Sequence, residues 1–275
     1  MTAKYAVFGN PIAQSKSPFI HGDFAKQTGQ DISYQAIFAE VDAFPEALAE
    51  FWQQGGVGAN VTAPFKQQAF ELSDELSELA KLSGAVNTLI RLDNGRVRGD
   101  NTDGVGLVTD LEAHFGELNG RSVLLVGAGG AARGCIKPLL DAGAQIVICN
   151  RTHAKAQSLA ELFADYGEVK AVAIDDLADN AGYDIVINST SAGLAGGLIA
   201  LPSSIIGKQT HCYDMTYSAE QTVFNQWAQQ AGAKKVADGL GMLVGQAAQS
   251  FYLWRAVKPD VSVTMAKLRE LLSRG

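Results

Sequence analysis

Apolar residues recur along this chain in two alternating rhythms. Short, nearly continuous apolar runs read as strands buried in a sheet. Between them lie longer stretches where apolar residues return at three- and four-residue intervals, the spacing of a helix with one buried face. In the first part the pattern predicts strands at residues 5–9, 32–38, 58–62 and 85–92, and helices at 19–28, 43–54 and 67–82. Gly29, Gly55-Gly56 and Gly84 follow the three helices, as residues that accept the turn past a helix end. Ser17 is placed to cap the first helix, with Pro18 at its first position. Asp93-Asn94-Gly95, between Arg91-Leu92 and Arg96-Val97, predicts a hairpin.

Residues 103–115 predict a connecting helix, with Val105, Leu107, Val108, Leu111 and Phe115 on roughly one face. Beyond it come strands at 123–126, 145–149, 169–174, 185–188, 209–215 and 234–237, and helices at 131–140, 153–163 and 221–230. A long amphipathic helix over 239–257 carries Gln246 among apolar neighbours, and a shorter one covers 263–272. The first of these is long enough to cross back to the first part. The expected fold class is α/β, with two domains joined by two connecting helices. One comprises residues 1–102 and 243–275, the other 103–242.

Bulk composition narrows the class. Of 275 residues, 47% are hydrophobic and 19% charged, as in an ordinary globular protein. The net charge is −7 with no basic run, so neither nucleic acid nor an anionic membrane is an expected partner. No apolar run is long enough to span a bilayer. The three cysteines, Cys135, Cys149 and Cys212, are widely spaced in apolar settings, and the four histidines have no metal-ligand spacing. A cytoplasmic protein without a metal is expected, as a monomer or homodimer.

The most informative stretch is Val123-Leu124-Leu125-Val126-Gly127-Ala128-Gly129-Gly130-Ala131-Ala132-Arg133. Strand, glycine turn and helix in succession offer bare backbone N–H groups to a phosphate at a helix N-terminus. Gly127 allows the tight turn, Gly129 lets the backbone approach a pyrophosphate, and Ala132 lets the helix sit close to the sheet. That is the signature of a doubly wound, Rossmann-like dinucleotide domain. The fingerprint calls for an acidic residue about twenty residues on, to bind the ribose hydroxyls. The chain has Asn150-Arg151-Thr152-His153-Ala154-Lys155 there instead. Two cations and small polar groups suit a 2′-phosphate, so the cofactor is read as NADP rather than NAD.

Lys66 follows a predicted strand beside Pro64, and Asp103 opens the connecting helix, where it can also serve as an N-cap. If both face one cleft, they form a pair able to stabilise charge on a ketone oxygen and hand it a proton during hydride transfer. Ser15 and Ser17 flank Lys16 in a polar loop, where two hydroxyls suit a carboxylate or a polyol.

Taken together, these segments resemble shikimate dehydrogenase from end to end. The motifs are Gly9-Asn10-Pro11-Ile12 with Ser15-Lys16-Ser17-Pro18, Asn60-Val61-Thr62-Ala63-Pro64-Phe65-Lys66, Gly84-Ala85-Val86-Asn87-Thr88 and Gly99-Asp100-Asn101-Thr102-Asp103-Gly104. They continue with the glycine turn, Asn150-Arg151-Thr152, Asn188-Ser189-Thr190-Ser191, and Asp238-Gly239-Leu240-Gly241-Met242-Leu243 with Gln246-Ala247. The resemblance implies an N-terminal substrate domain and reversible NADPH-dependent reduction of 3-dehydroshikimate to shikimate, in aromatic amino-acid and chorismate biosynthesis. It implies that Ser15 and Ser17 hold the substrate carboxylate, that Thr62, Asn87, Asp103 and Gln246 bind ring hydroxyls with Asn60 and Tyr217 close by, and that Lys66 is the general acid/base paired with Asp103. It assigns the cofactor to Gly127, Ala128, Gly129, Gly130, Ala131, Asn150, Arg151, Thr152 and Lys155. Thr190, Met215, Gly239 and Met242 would line the nicotinamide end, and Glu78 would lie near the cofactor. Lys155 stands where the family often has arginine, a point charge in place of a bidentate fork. A quinate/shikimate dehydrogenase using NAD and a non-catalytic NADP-sensing module are the competing readings.

Overall fold

The computed structural model describes residues 2–179, 182–195, 197 and 200–274, with the side chains of Leu194 and Ala195 outside that description. The chain divides into two units. Unit 1 runs to Gly106 and resumes over Val244–Leu268, and unit 2 covers Leu107–Leu243 and the chain from Arg269 on.

Unit 1 is built on a mixed six-stranded sheet. Its strands are β1 (Ala3–Gly9), β2 (Ile32–Phe38), β3 (Gly56–Val61), β4 (Glu75–Leu76), β5 (Thr88–Arg91) and β6 (Val97–Asp100), in the order β2-β1-β3-β5-β6-β4. Pairing is parallel for β1 with β2 and β3, and antiparallel for β3 with β5 and β5 with β6. The helices are α1 (Ser17–Thr28), α2 (Phe44–Gln53), α3 (Lys66–Glu71) and α4 (Glu78–Ser83). The period of β1 sends Ala6 and Phe8 into a core with Phe44, Leu48, Phe51, Val61, Phe65 and Leu89. There Phe44 stacks on Phe65 with ring centroids 4.6 Å apart. Burying each such ring stabilises the fold by roughly 1.5–3 kcal/mol.

Two local expectations are corrected. The helix expected over 67–82 is two short helices with β4 between them. Side chains compete with the helix there. Asp74 accepts the Val97 N–H at 2.7 Å, its own N–H donates to Val97 O at 2.8 Å, and Ser77 caps α4 by accepting from Ala80 N. Nor does Ser17 cap α1. Lys16 holds the N-cap position, and Ser17 lies inside the helix with its N–H directed to Ser15 Oγ at 3.3 Å. The expected hairpin forms, with Asn94 Oδ1 accepting from Arg96 N.

Unit 2 carries a six-stranded sheet, all parallel: β7 (Ser122–Val126), β8 (Gln145–Cys149), β9 (Val169–Ala171), β10 (Ile185–Asn188), β11 (His211–Asp214) and β12 (Lys235–Asp238), in the order β12-β11-β10-β7-β8-β9. The order reverses between β7 and β10, which makes the sheet doubly wound and places the ligand crevice at the C-terminal ends of those two strands. Its strands are almost continuously buried, as expected where helices cover both faces. The three cysteines are buried and none forms a disulfide among the described residues, and burial pushes the Cys149 and Cys212 thiols up to about 12.

The remaining helices of the chain are α5 (Asp103–Phe115), α6 (Gly130–Asp141), α7 (His153–Phe163), α8 (Val223–Gln230), α9 (Leu240–Arg255) and α10 (Val261–Ser273). The chain leaves unit 1 within α5 and re-enters it within α9. Inside unit 2, Asp110 of α5 accepts a 2.6 Å hydrogen bond from the Tyr213 hydroxyl, and burial raises its carboxyl pKa. Arg269 of α10 forms a two-pronged pair with Asp238, at 2.9 and 2.7 Å.

Candidate functional site

In unit 1, strand register gathers the polar residues. The antiparallel pairing sets Asn60 of β3 opposite Thr88 of β5, and Thr88 opposite Asp100 of β6. Residues flanking those three positions therefore converge: Lys66 after β3, Asn87 before β5, and Thr102 and Asp103 after β6. Lys66 Nζ lies 2.6 Å from Asp103 Oδ2, with the two side chains 33% and 19% exposed. The pair is open enough to meet a ligand. Asn87 Nδ2 donates to Asp103 Oδ1 at 2.7 Å, so both carboxylate oxygens are held. Asp103 is the first residue of α5, and its carboxylate accepts from both of these side chains.

The network continues inward. Asn87 Nδ2 and Thr102 Oγ1 approach Gln246 Oε1 of α9 at 3.4 and 3.5 Å. Asn60 Nδ2 donates to Asn87 O at 3.1 Å and to Ser250 Oγ at 3.1 Å. Its Oδ1 accepts from the Tyr34 hydroxyl at 2.7 Å. Burial holds the Tyr34 phenol far above the usual range, against a lowering influence of the Ser17 side chain. Ser15 and Thr62 are half-buried on the loops after β1 and β3. Glu78 is exposed in the first turn of α4 and has no hydrogen bond to this network among the described residues.

In unit 2, Gly127 takes φ +113 after β7, and a Cβ there would lie 2.5 Å from Ser189 Oγ and 2.9 Å from Thr190 Cγ2. Only glycine permits both that conformation and that approach. Gly129 is the N-cap of α6, and a Cβ on Gly129 or Gly130 would meet nothing within 4 Å, so the bare N-terminus of α6 opens on free space. Ala131 is exposed and Ala128 half-buried beside it, while Ala132 is fully buried against the sheet. After β8, Asn150 Nδ2 donates to Thr152 O at 2.9 Å and shapes the turn into α7. Arg151, Thr152 and Lys155 are exposed, no acidic residue lies in the first turn of α7, and neither cation makes an ion pair among the described residues. Two uncompensated cations at a helix N-terminus disfavour each other and the helix dipole, and an anion relieves both.

Thr190 follows β10, Met215 and Tyr217 follow β11, Gly239 precedes α9 and Met242 lies in its first turn. Tyr217 thus belongs to unit 2, unlike the other residues expected to bind substrate; it is half-buried, and burial raises its phenol pKa. A Cβ on Gly239 would lie 2.1 Å from Met215 O, so that backbone crossing requires glycine.

Family models match three segments: residues 7–89 fit the shikimate dehydrogenase substrate binding domain, 110–195 shikimate / quinate 5-dehydrogenase, and 239–269 the shikimate 5′-dehydrogenase C-terminal domain. A curated protein of Shewanella woodyi, shikimate dehydrogenase (NADP(+)), is 60% identical over 270 residues, covering 98% of each chain. The chain belongs to the shikimate dehydrogenase family. Solved structures agree. An Ael1 enzyme from Pseudomonas putida is 42% identical with a TM-score of 0.93, over 97% of this chain and 98% of that one. Shikimate 5-dehydrogenase from Thermus thermophilus, crystallised with NADP(H) and shikimate, is 33% identical with a TM-score of 0.87, over 98% of this chain and 100% of that one.

Within this shikimate dehydrogenase fold, several network members carried no role in the sequence reading. Tyr34, Thr88 and Ser250 bind Asn60 or each other. Ser250 had a usable signal, since it falls one helical turn after Gln246 on the same face of a largely apolar helix. Tyr34 had none, because a tyrosine in an alternating strand reads as packing.

Proposed function

We propose that this protein catalyses the reversible NADPH-dependent reduction of 3-dehydroshikimate to shikimate, the step its family serves in aromatic amino-acid biosynthesis, in the cytoplasm. Unit 1 is assigned to the substrate and unit 2 to the cofactor. The reading is carried by the Lys66–Asp103 pair at 2.6 Å, set in a network with Asn87 and Gln246.

NADP fits the residues of unit 2: the bare N-terminus of α6 suits the pyrophosphate, and Arg151 with Lys155 suits the 2′-phosphate. Bound NADPH supplies the hydride to the carbonyl carbon. As charge grows on the carbonyl oxygen, the Lys66 ammonium stabilises it and then donates a proton to it. Asp103 keeps Lys66 aimed and accepts from a ring hydroxyl. Asn87 and Gln246 fix the ring through its other hydroxyls, and Ser15 and Ser17 hold the carboxylate. Shikimate oxidation runs the same contacts backwards, with Lys66 as the base.

The test is ultraviolet absorbance of reduced nicotinamide, with shikimate or quinate against NADP+ or NAD+. Rapid turnover of shikimate with NADP+ is expected. A preference for quinate with NAD+ would favour the other branch of the family, and binding without turnover would favour a sensing module.

A further inference from the structure

At the C-terminal ends of β10 and β11, a buried acid is linked to the cofactor crevice by a chain of hydrogen bonds whose direction is fixed. Asn188 and Asp214 face each other across the two strands. Asp214 is fully buried. Its Oδ1 receives the Asn188 side-chain amide and the Thr216 backbone N–H, both at 3.1 Å, while Oδ2 has no partner among the described residues. Strand pairing alone does not require an acid here, and an unpartnered buried oxygen is unfavourable.

The polarity follows from the donors. Because Oδ1 accepts, Asn188 must turn its NH2 group toward Asp214 and its oxygen away. That oxygen accepts from both Thr190 N, at 3.1 Å, and Thr190 Oγ1, at 2.7 Å. The backbone N–H independently demands an acceptor at that position, so the amide cannot flip. The Thr190 hydroxyl proton is therefore committed inward, and its lone pairs are what it offers a ligand. Thr190 is half-buried and lies against the glycine turn after β7, at the switch point of the sheet.

We infer that Asp214 is a positioning residue which, through Asn188, fixes Thr190 as an acceptor for the carboxamide N–H of the nicotinamide, a role that rests on the NADP-dependent reading above. Phosphate oxygens carry no donor, ribose hydroxyls donate and accept alike, and the adenine amine belongs to the end of the cofactor assigned to Arg151 and Lys155, so the carboxamide is the part of the cofactor that a dedicated acceptor here discriminates. Holding it fixes which face of the ring is turned to the substrate.

The experiment compares NADP+ with its 3-acetylpyridine analogue, which keeps a carbonyl but lacks the N–H. Both kcat/KM for shikimate oxidation and calorimetric binding are read. In Thr190→Val the preference for NADP+ over the analogue falls roughly tenfold, and in Thr190→Ser it is kept. Asp214→Leu lowers the same ratio, while Asp214→Asn keeps it, since an amide oxygen can still face both donors. A purely structural role would lower both cofactors equally. An unchanged ratio in Thr190→Val overturns the inference whatever becomes of the core variant. So does an unchanged ratio in folded Asp214→Leu. If the wild type binds NADP+ but does not oxidise shikimate, the proposed function fails and the binding ratio still decides the relay. If it does not bind NADP+, both fail.

Discussion

In unit 1 the polar groups near the site are side chains bonded to one another, from Tyr34 through Asn60, Thr88, Asn87 and Asp103 to Lys66. In unit 2 they are backbone N–H groups at a glycine turn and two cations with no carboxylate partner among the described residues. The first arrangement is satisfied before any ligand arrives, and the second waits for one. Changes in unit 1 should therefore fall on turnover and stability, and changes in unit 2 on the choice of cofactor.

The largest effect expected is Lys66→Ala, which should lower kcat by roughly a hundredfold or more by removing the proton donor, with NADP+ binding retained. Steady-state rates beside a binding titration check it, and undiminished turnover would remove Lys66 from the chemistry. Next comes the stability of unit 1 in acid. His21 is fully buried and stacks on Tyr34 with ring centroids 4.3 Å apart. Burial lowers its pKa from 6.5 to about 3, outweighing the opposing influence of the Asn60 side chain. The unfolded chain thus binds a proton below 6.5 that the folded chain refuses until about 3. Stability must fall as the pH drops through that window, by about 2 kcal/mol near pH 5 from this group. Urea denaturation of His21→Phe should show a shallower acid limb, and an identical limb would mean that other groups set it.

Unit 2 supplies the third test. Arg151→Ala should weaken NADPH roughly tenfold more than NADH; equal weakening of both would place the 2′-phosphate elsewhere. The smallest effect sharpens the contrast within unit 1. Ser250→Ala removes one partner of Asn60 and should lower unfolding free energy by about 1 kcal/mol, while leaving the ratio of NADPH to NADH affinity as it was.

The sequence was most readable where pattern is local. The strand, glycine turn and helix around Gly127, the hairpin at Asn94, and α5 and α7 follow from neighbours in the chain, and each forms where expected. The helix expected over 67–82 broke because Asp74 found a partner in β6, which local periodicity does not show. The pairing of Lys66 with Asp103 was legible as a possibility from residue types, but its geometry depends on the register of β3, β5 and β6. The inner network was least legible: Ser250 meets Asn60 across 190 positions of chain, and nothing near either residue announces the other.

That long separation also bears on how the protein is made. Gln246, Ser250 and Trp254 all lie on α9 and complete unit 1, Trp254 by donating to Leu89 O at 3.0 Å. A nascent chain that has emerged only as far as Leu243 thus still has Asn60 and the Leu89 carbonyl without these partners. The part of the protein translated first is among the last to be finished, because the side chains that close its network arrive only with α9.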